Sequence, residues 1–417
     1  MRRLPLLTLL AASLASAGGL SACGGDDTPP PTSTPSPTTP TTDGSTSQTS
    51  TTIAAPRAYT KNTTRLDAAD AAGVAALTAL TMYPSTAKDL RPDAVTFAGQ
   101  EDWRSILLAS SFAAKPLGFP LLLMDGRNLP PVSSAALAQL QPAGAPAMNK
   151  AQGLRIGVST RVAGDLRTRY LTSATPAGLA RAADRQLQNL RGRPSDRVMI
   201  VNSDDPKLAA PAAAWAARSG DPILFTTSGS LPADTKAALQ SHTNPRIYVM
   251  GGPDTVTRYV ISQLQEYGIV KRVQPAESTG GASDLSIAFA GYSDGNFGWN
   301  YTDPGHSFVF GSTNDPISAM AAAALSSGGN YGALLLVDRP NHVEQPLKNY
   351  LQSVQPGYND QYPPTRGFFN RGWIIGATTA ISVQTQNRLD EMMEIIRTDQ
   401  ANQLGDTASD AANPEGQ

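Results

Sequence analysis

An order of elements that recurs three times constrains this chain more than any other feature. Residues 94–140 read as an apolar strand (Ala94-Val95-Thr96-Phe97), an acidic turn (Glu101-Asp102-Trp103), a small-residue helix, a strand Pro120-Leu121-Leu122-Leu123, and Leu129-Pro130 opening another helix. The order returns as Val198-Met199-Ile200-Val201, Asp204-Asp205-Pro206, an alanine-rich helix through Trp215, Pro222-Ile223-Leu224-Phe225, and Leu231-Pro232. It returns again as Phe308-Val309-Phe310, Asn314-Asp315-Pro316, a helix from Ile317 to Leu325, the strand Ala333-Leu334-Leu335-Leu336, and a helix from Val343 to Leu351. A period of roughly 100 residues means repeated domains and not a short-repeat solenoid.

Short, continuously apolar strands alternating with helices predict βα units on a parallel sheet covered on both faces. The expected fold class is therefore α/β, with three tandem Rossmann-like units. Copy two continues with the strand Arg246-Ile247-Tyr248-Val249-Met250 and a helix from Thr255 to Tyr267; copy three continues with Trp373-Ile374-Ile375-Gly376 and a helix from Ala380 to Ile396. Copy one reads as truncated, since no comparable helix follows Leu154-Arg155-Ile156-Gly157-Val158.

Ahead of the copies, Arg2 and Arg3 precede an apolar run that ends in Leu20-Ser21-Ala22-Cys23, the pattern of a lipoprotein signal peptide over residues 1–22. The apolar run is shorter than the roughly 20 residues a membrane-spanning helix needs. Cys23 is the single cysteine, so no internal disulfide forms, and lipidation of a new N-terminus is its expected role. Residues 23–55 have a Thr/Pro/Ser-rich composition that cannot bury a core. The copies are expected at 56–158, 159–271 and 272–397, with a polar tail at 398–417. These features place the protein on the extracytoplasmic face of a membrane.

A formal net charge of -1 gives no global bias toward nucleic acid, and none is expected as a partner. Locally, nine arginines fall between Arg155 and Arg197 against Asp165, Asp184 and Asp196. That stretch faces either an anionic polymer, which suits arginine's planar fork, or solvent and domain seams. His242, His306 and His342 are too widely spaced for a local metal site, and no nucleophile elbow or phosphate-cradling glycine loop occurs. No catalytic residue, metal or cofactor is expected. Asp102, Asp205 and Asp315 follow a strand in each copy, where they either cap the next helix or touch a ligand. The loop Phe297-Gly298-Trp299-Asn300-Tyr301 with Tyr292 either presents rings to sugars or packs over a domain seam, which is the favoured reading.

Several of these segments resemble the cell wall-binding repeat type 2 family, in particular its actinobacterial lipoprotein members. The likeness lies in Arg161-Val162-Ala163-Gly164 followed by Arg169-Tyr170-Leu171-Thr172, in Pro222-Ile223-Leu224 and in Val249-Met250-Gly251-Gly252. It extends to Asn62-Thr63-Thr64-Arg65 and Asp303-Pro304-Gly305-His306. The resemblance implies three Rossmann-like or toprim-like units packed with pseudo-threefold symmetry, binding an anionic wall polymer or glycan non-covalently. It points to apolar triplets (Leu121-Leu122-Leu123, Ile223-Leu224-Phe225, Leu334-Leu335-Leu336) and to basic residues nearby. The candidate polymer-binding set is Arg161, Arg167, Arg169, Asp102, Asp205, Asp315, Ile223 and Leu224. The competing reading is a solute-binding lipoprotein that captures a small ligand between α/β units.

Overall fold

The computed structural model describes residues 58–398 apart from 86, 163–165, 276–279 and 329–331. Cys23, the expected signal peptide and linker, and the tail beyond Thr398 lie outside the described residues. Among those described, no helix is long and apolar enough to cross a membrane.

A short strand β1 (Ala58–Tyr59) leads into the first copy, which runs β2 (Thr63–Leu66), α1 (Ala71–Met82), β3 (Val95–Gly99), α2 (Trp103–Ala113), β4 (Leu121–Met124), α3 (Pro131–Leu140) and β5 (Gly153–Ile156). The second runs β6 (Thr168–Leu171), α4 (Pro176–Arg191), β7 (Arg197–Asn202), α5 (Pro206–Ser219), β8 (Ile223–Thr226), α6 (Ala233–Leu239), β9 (Arg246–Met250) and α7 (Arg258–Leu264). The third runs β10 (Ile269–Val273), α8 (Ala282–Gly291), β11 (Ser307–Ser312), α9 (Pro316–Ala321), β12 (Ala333–Val337), α10 (Gln345–Ser353), β13 (Gly357–Tyr358), β14 (Arg371–Ile375), α11 (Val383–Met393) and β15 (Ile396–Arg397). The helix expected through Leu325 stops at Ala321 and tightens into a 3-10 turn over Ala323–Ser326.

The main sheets have the orders β4-β3-β5-β6, β8-β7-β9-β10 and β12-β11-β14-β2-β1, and every neighbouring pair is parallel except β1 with β2. The sheets do not coincide with the repeats. Each copy's first strand joins the sheet of the copy before it: β6 pairs with β5, β10 with β9, and β2 with β14 of copy three. The last pairing closes the chain into a ring, since the start of copy one completes the sheet of copy three. Thr63 sits opposite Gly372 and Arg65 opposite Ile374.

The equivalent helices α2, α5 and α9 pack pairwise against one another, a pseudo-threefold arrangement. Their sequences explain why. In α5 the residues Ala209, Ala210, Ala212, Ala213, Ala214, Ala216 and Ala217 are all buried, and methyl-sized side chains let neighbouring helix backbones approach closely. Across one seam, Ser111 Oγ of α2 donates to the Asp221 carbonyl at 2.9 Å, satisfying a polar group that burial would otherwise penalise. At the seam of copies two and three, Phe297 stacks on Tyr248 with centroids 3.8 Å apart and packs on Trp215 at 4.7 Å. Phe297, Trp299 and Tyr301 are buried, so these rings fill the seam and present no face to a sugar.

Candidate functional site

The residues that open each copy were nearly invisible as strands, because Thr-Thr-Arg-Leu, Thr-Arg-Tyr-Leu and Ile-Val-Lys-Arg-Val carry polar side chains on an outer strand. In two of them an arginine ties the strand to the loop that ends the neighbouring strand. Arg65 on β2 donates from Nη1 to the Gly376 carbonyl at 2.8 Å, from Nη2 to the Ile381 carbonyl at 2.7 Å and from Nε to Gln386 Oε1 at 3.0 Å. Arg272 on β10 donates to the carbonyls of Gly251, Gly252 and Val256, each at 2.7 Å. Both face the second residue before the glycine that follows the neighbouring strand: Ile374 before Gly376, and Val249 before Gly251.

In the sheet of copy one the matching residue of the outer strand, β6, is not Arg169 but Tyr170, opposite Arg155. The guanidinium has moved to the other strand and does the same work. Arg155, 3% exposed, donates to Thr168 Oγ1 at 3.1 Å and to the carbonyls of Val158, Ser159 and Thr160. Burial and then the charge of Arg161 press its pKa below the usual arginine value. Tyr170 lies over it as a cation–π partner and leaves 60% of its own surface in solvent.

Copy one also differs in cover. Helix α11 lies against β14 and places Gln386 on Arg65. Among the described residues no helix lies between β5 and β6. Instead Val158, Val162 and Leu166 of the irregular segment pack on Phe97, Leu122 and Leu140. Strand β6 therefore runs along the open edge of its sheet with Arg169 and Tyr170 exposed. Arg161 and Arg167 beside it are exposed, as is Lys150 on the turn whose Met148 carbonyl accepts from Arg169 Nε at 3.1 Å. Among the described residues none of these four cations forms an ion pair, while Asp165 lies outside those residues. The structure thus gathers Arg161, Arg167 and Arg169 along one edge together with an exposed ring and a further cation.

The other candidates lie elsewhere. Asp102, Asp205 and Asp315 are the N-caps of α2, α5 and α9: Asp102 accepts from Ser105 N at 3.3 Å, Asp205 from Lys207 N at 2.8 Å and Asp315 from Ser318 N at 3.1 Å. Ile223 and Leu224 lie inside the core on β8 with 1% and 0% exposure, and the other two triplets form β4 and β12. Beyond the ends of β7 and β9, Asn202, Asp205, Gly251, Gly252, Asp254 and Thr255 border a cleft of about 310 Å3. Among the described residues no group of three or more His, Cys, Asp or Glu is placed to hold a metal ion.

No family model matches the chain, and no curated protein matches it. Among solved structures it is similar to Cwp6 from Clostridium difficile (TM-score 0.62, 14% identity, covering 80% of this chain and 48% of that one). It is also similar to Cwp8 from Clostridium difficile (TM-score 0.58, 14% identity, covering 80% of this chain and 52% of that one). The chain thus spans about half the length of these two proteins, with which it shares its fold.

Proposed function

We propose that this protein is a lipid-anchored, extracytoplasmic binding scaffold that holds an anionic cell-wall polymer or glycan non-covalently along the edge of β6, and that it is not an enzyme. The observation that carries the reading is the set of exposed cations Lys150, Arg161, Arg167 and Arg169 along the edge that also carries the exposed ring of Tyr170, none of them in an ion pair among the described residues. Arginine forks take phosphate or carboxylate oxygens in pairs, and a ring lying on a fixed guanidinium offers a rigid face to an apolar edge of the polymer. The fold shared with Cwp6 and Cwp8 and the repeat motifs agree with a role at the cell wall. The anchor is the lipid on Cys23, and neither nucleic acid nor a cofactor is a partner. Co-sedimentation of the protein with purified wall material, before and after removal of its anionic polymers and across a salt series, tests the reading. Binding that disappears on polymer removal and weakens with salt supports it, because exposed charge contacts are screened. Salt-independent binding that survives polymer removal overturns it.

The cleft beyond β7 and β9 favours a second reading, capture of a small polar solute by Asn202, Asp205 and Asp254. Under that reading the wall pull-down is empty, and Asp254→Ala removes solute binding.

A further inference from the structure

Copies one and two meet the same local need with different side chains. In each, the residue at the end of the copy's first helix reaches the glycine three residues before the strand that follows its second helix. Tyr83 Oη donates to the Gly118 carbonyl at 2.5 Å, and Arg191 Nη1 donates to the Gly220 carbonyl at 2.5 Å. The two glycines share a left-handed backbone, with φ of 61° and 71°. A Cβ at Gly118 would lie 2.4 Å from Tyr83 Oη, and one at Gly220 would lie 1.6 Å from Arg191 Nη2. One hydroxyl is therefore sufficient for the structural task, as Tyr83 demonstrates.

Arg191 carries more than the task needs. Its Nε and Nη2 are buried and have no partner among the described residues. Those two N–H groups form the edge of the guanidinium that matches two oxygens of one oxyanion. Arg191 is also part of the wall of a cavity of about 140 Å3 whose charged lining is Asp184, Arg191, Arg193, Asp196, Arg197 and Asp221. At about 30 Å3 per water the space would take roughly four or five water molecules. The other charges are already matched. Arg197 Nε donates to Asp221 Oδ2 at 3.0 Å, Asp184 Oδ2 meets His242 Nε2 at 3.0 Å, and Arg193 lies 3.8 Å from Asp196. Trp215 Nε1 adds a second donor to Asp221 at 2.9 Å. Burial lowers the pKa of Arg191; Asp221 opposes that shift, and Arg193 and Arg197 add to it, so a bound anion would stabilise its charge.

A second lining residue, Asp184, holds an acceptor in want of a donor. Asp184 is 2% exposed, and its Oδ1 has no partner among the described residues. A fully ionised anion has nothing to give it, whereas an anion with an O–H does.

We infer that this cavity is a binding site for a phosphate oxyanion bearing an O–H group: two of its oxygens accept from Nε and Nη2 of Arg191, and its O–H donates to Oδ1 of Asp184. The site stands apart from the edge of β6 and does not rest on the function proposed above.

Calorimetric titration of the full-length chain with inorganic phosphate and with sulfate at neutral pH tests the assignment. Arg191→Tyr is the informative variant, because it installs the side chain copy one already uses and so leaves the bond to the Gly220 carbonyl in place. Saturable binding of one phosphate per chain is expected, with affinity at least tenfold lower in R191Y while its unfolding midpoint is kept. Sulfate, which lacks the proton, binds at least tenfold more weakly than phosphate. The triple variant R161A/R167A/R169A retains phosphate affinity, which separates this site from the β6 edge. Absence of saturable phosphate binding, wild-type affinity in R191Y, or loss of affinity in the triple variant overturns the assignment. Equal affinity for sulfate and phosphate overturns the role given to Asp184.

Discussion

The guanidinium of Arg155 lies 5.1 Å from the centre of the Tyr170 ring, and the two residues sit opposite each other on neighbouring parallel strands. In the other copies the arginine stands on the outer strand and an aliphatic residue on the inner one, as Arg65 with Ile374 and Arg272 with Val249. Arg155→Val is expected to cost about 3 kcal/mol, since it strips donors from three loop carbonyls and from Thr168. Combining it with Tyr170→Arg rebuilds the arrangement of the other two copies and is expected to recover most of that loss. Urea denaturation of the single and double variants measures both.

The exposed arginines are expected to behave oppositely. R161A/R167A/R169A should leave unfolding within about 0.5 kcal/mol of the parent, as substitutions away from packed features do. Its affinity for wall polymer should fall about tenfold, with a shallower salt dependence, in the sedimentation assay.

His242 carries a pH signature. Burial works against its positive charge, but the hydrogen bond to Asp184, the charge of Asp184 and the Ser195 carbonyl outweigh it, so its pKa lies above the ordinary value of 6.5. A raised folded-state value means that the stabilisation is complete below the unfolded pKa and is lost as pH rises through the folded one. Stability should therefore decline from mildly acidic toward alkaline pH. His242→Gln is expected to flatten that decline in melting temperatures recorded across the range.

Ring closure makes Arg65 important to a sheet formed mostly by the far end of the chain. Its bond to the Gly376 carbonyl spans 311 positions. Arg65→Leu leaves that carbonyl, the Ile381 carbonyl and Gln386 Oε1 without a buried donor, at an expected cost of about 3 kcal/mol. Hydrogen exchange should show faster opening of β14 and α11 than of β7.

Gly157 has a φ of 72°, and a Cβ there would lie 2.1 Å from Ser105 Oγ and 2.9 Å from Asp102 Oδ2. Gly157→Ala is expected to cost about 2 kcal/mol, from backbone strain plus displacement of the α2 cap. Thermal unfolding reads this directly.

The parallel strands were legible because buried strands such as Leu334-Leu335-Leu336 are continuously apolar, and the helix starts because Asp205-Pro206 and Asp315-Pro316 carry cap and first-turn chemistry together. The first strand of each copy escaped, since Thr63-Thr64-Arg65-Leu66 has neither an apolar run nor a clean alternation. With those strands hidden, the exchange of strands between sheets was hidden too. The motifs put Arg167 and Arg169 among the candidates, but sheet register places Tyr170 at the position that Arg65 and Arg272 hold in the other sheets, and only the partner strand reveals that Arg155 supplies the missing guanidinium. Arg191 was one cation in an arginine-rich stretch; what sets it apart, two buried donors without a partner among the described residues, depends on its packing against Gly220, which lies in another element.

Because β2 lies beside β14, the three-copy ring has no privileged starting point. A chain opened between β5 and β6, with residues 58 and 398 joined by a flexible linker, contains the same strand neighbours in every sheet. The position of the chain ends is thus separable from the architecture, and circular permutants can move those ends around the ring without altering the surfaces it displays.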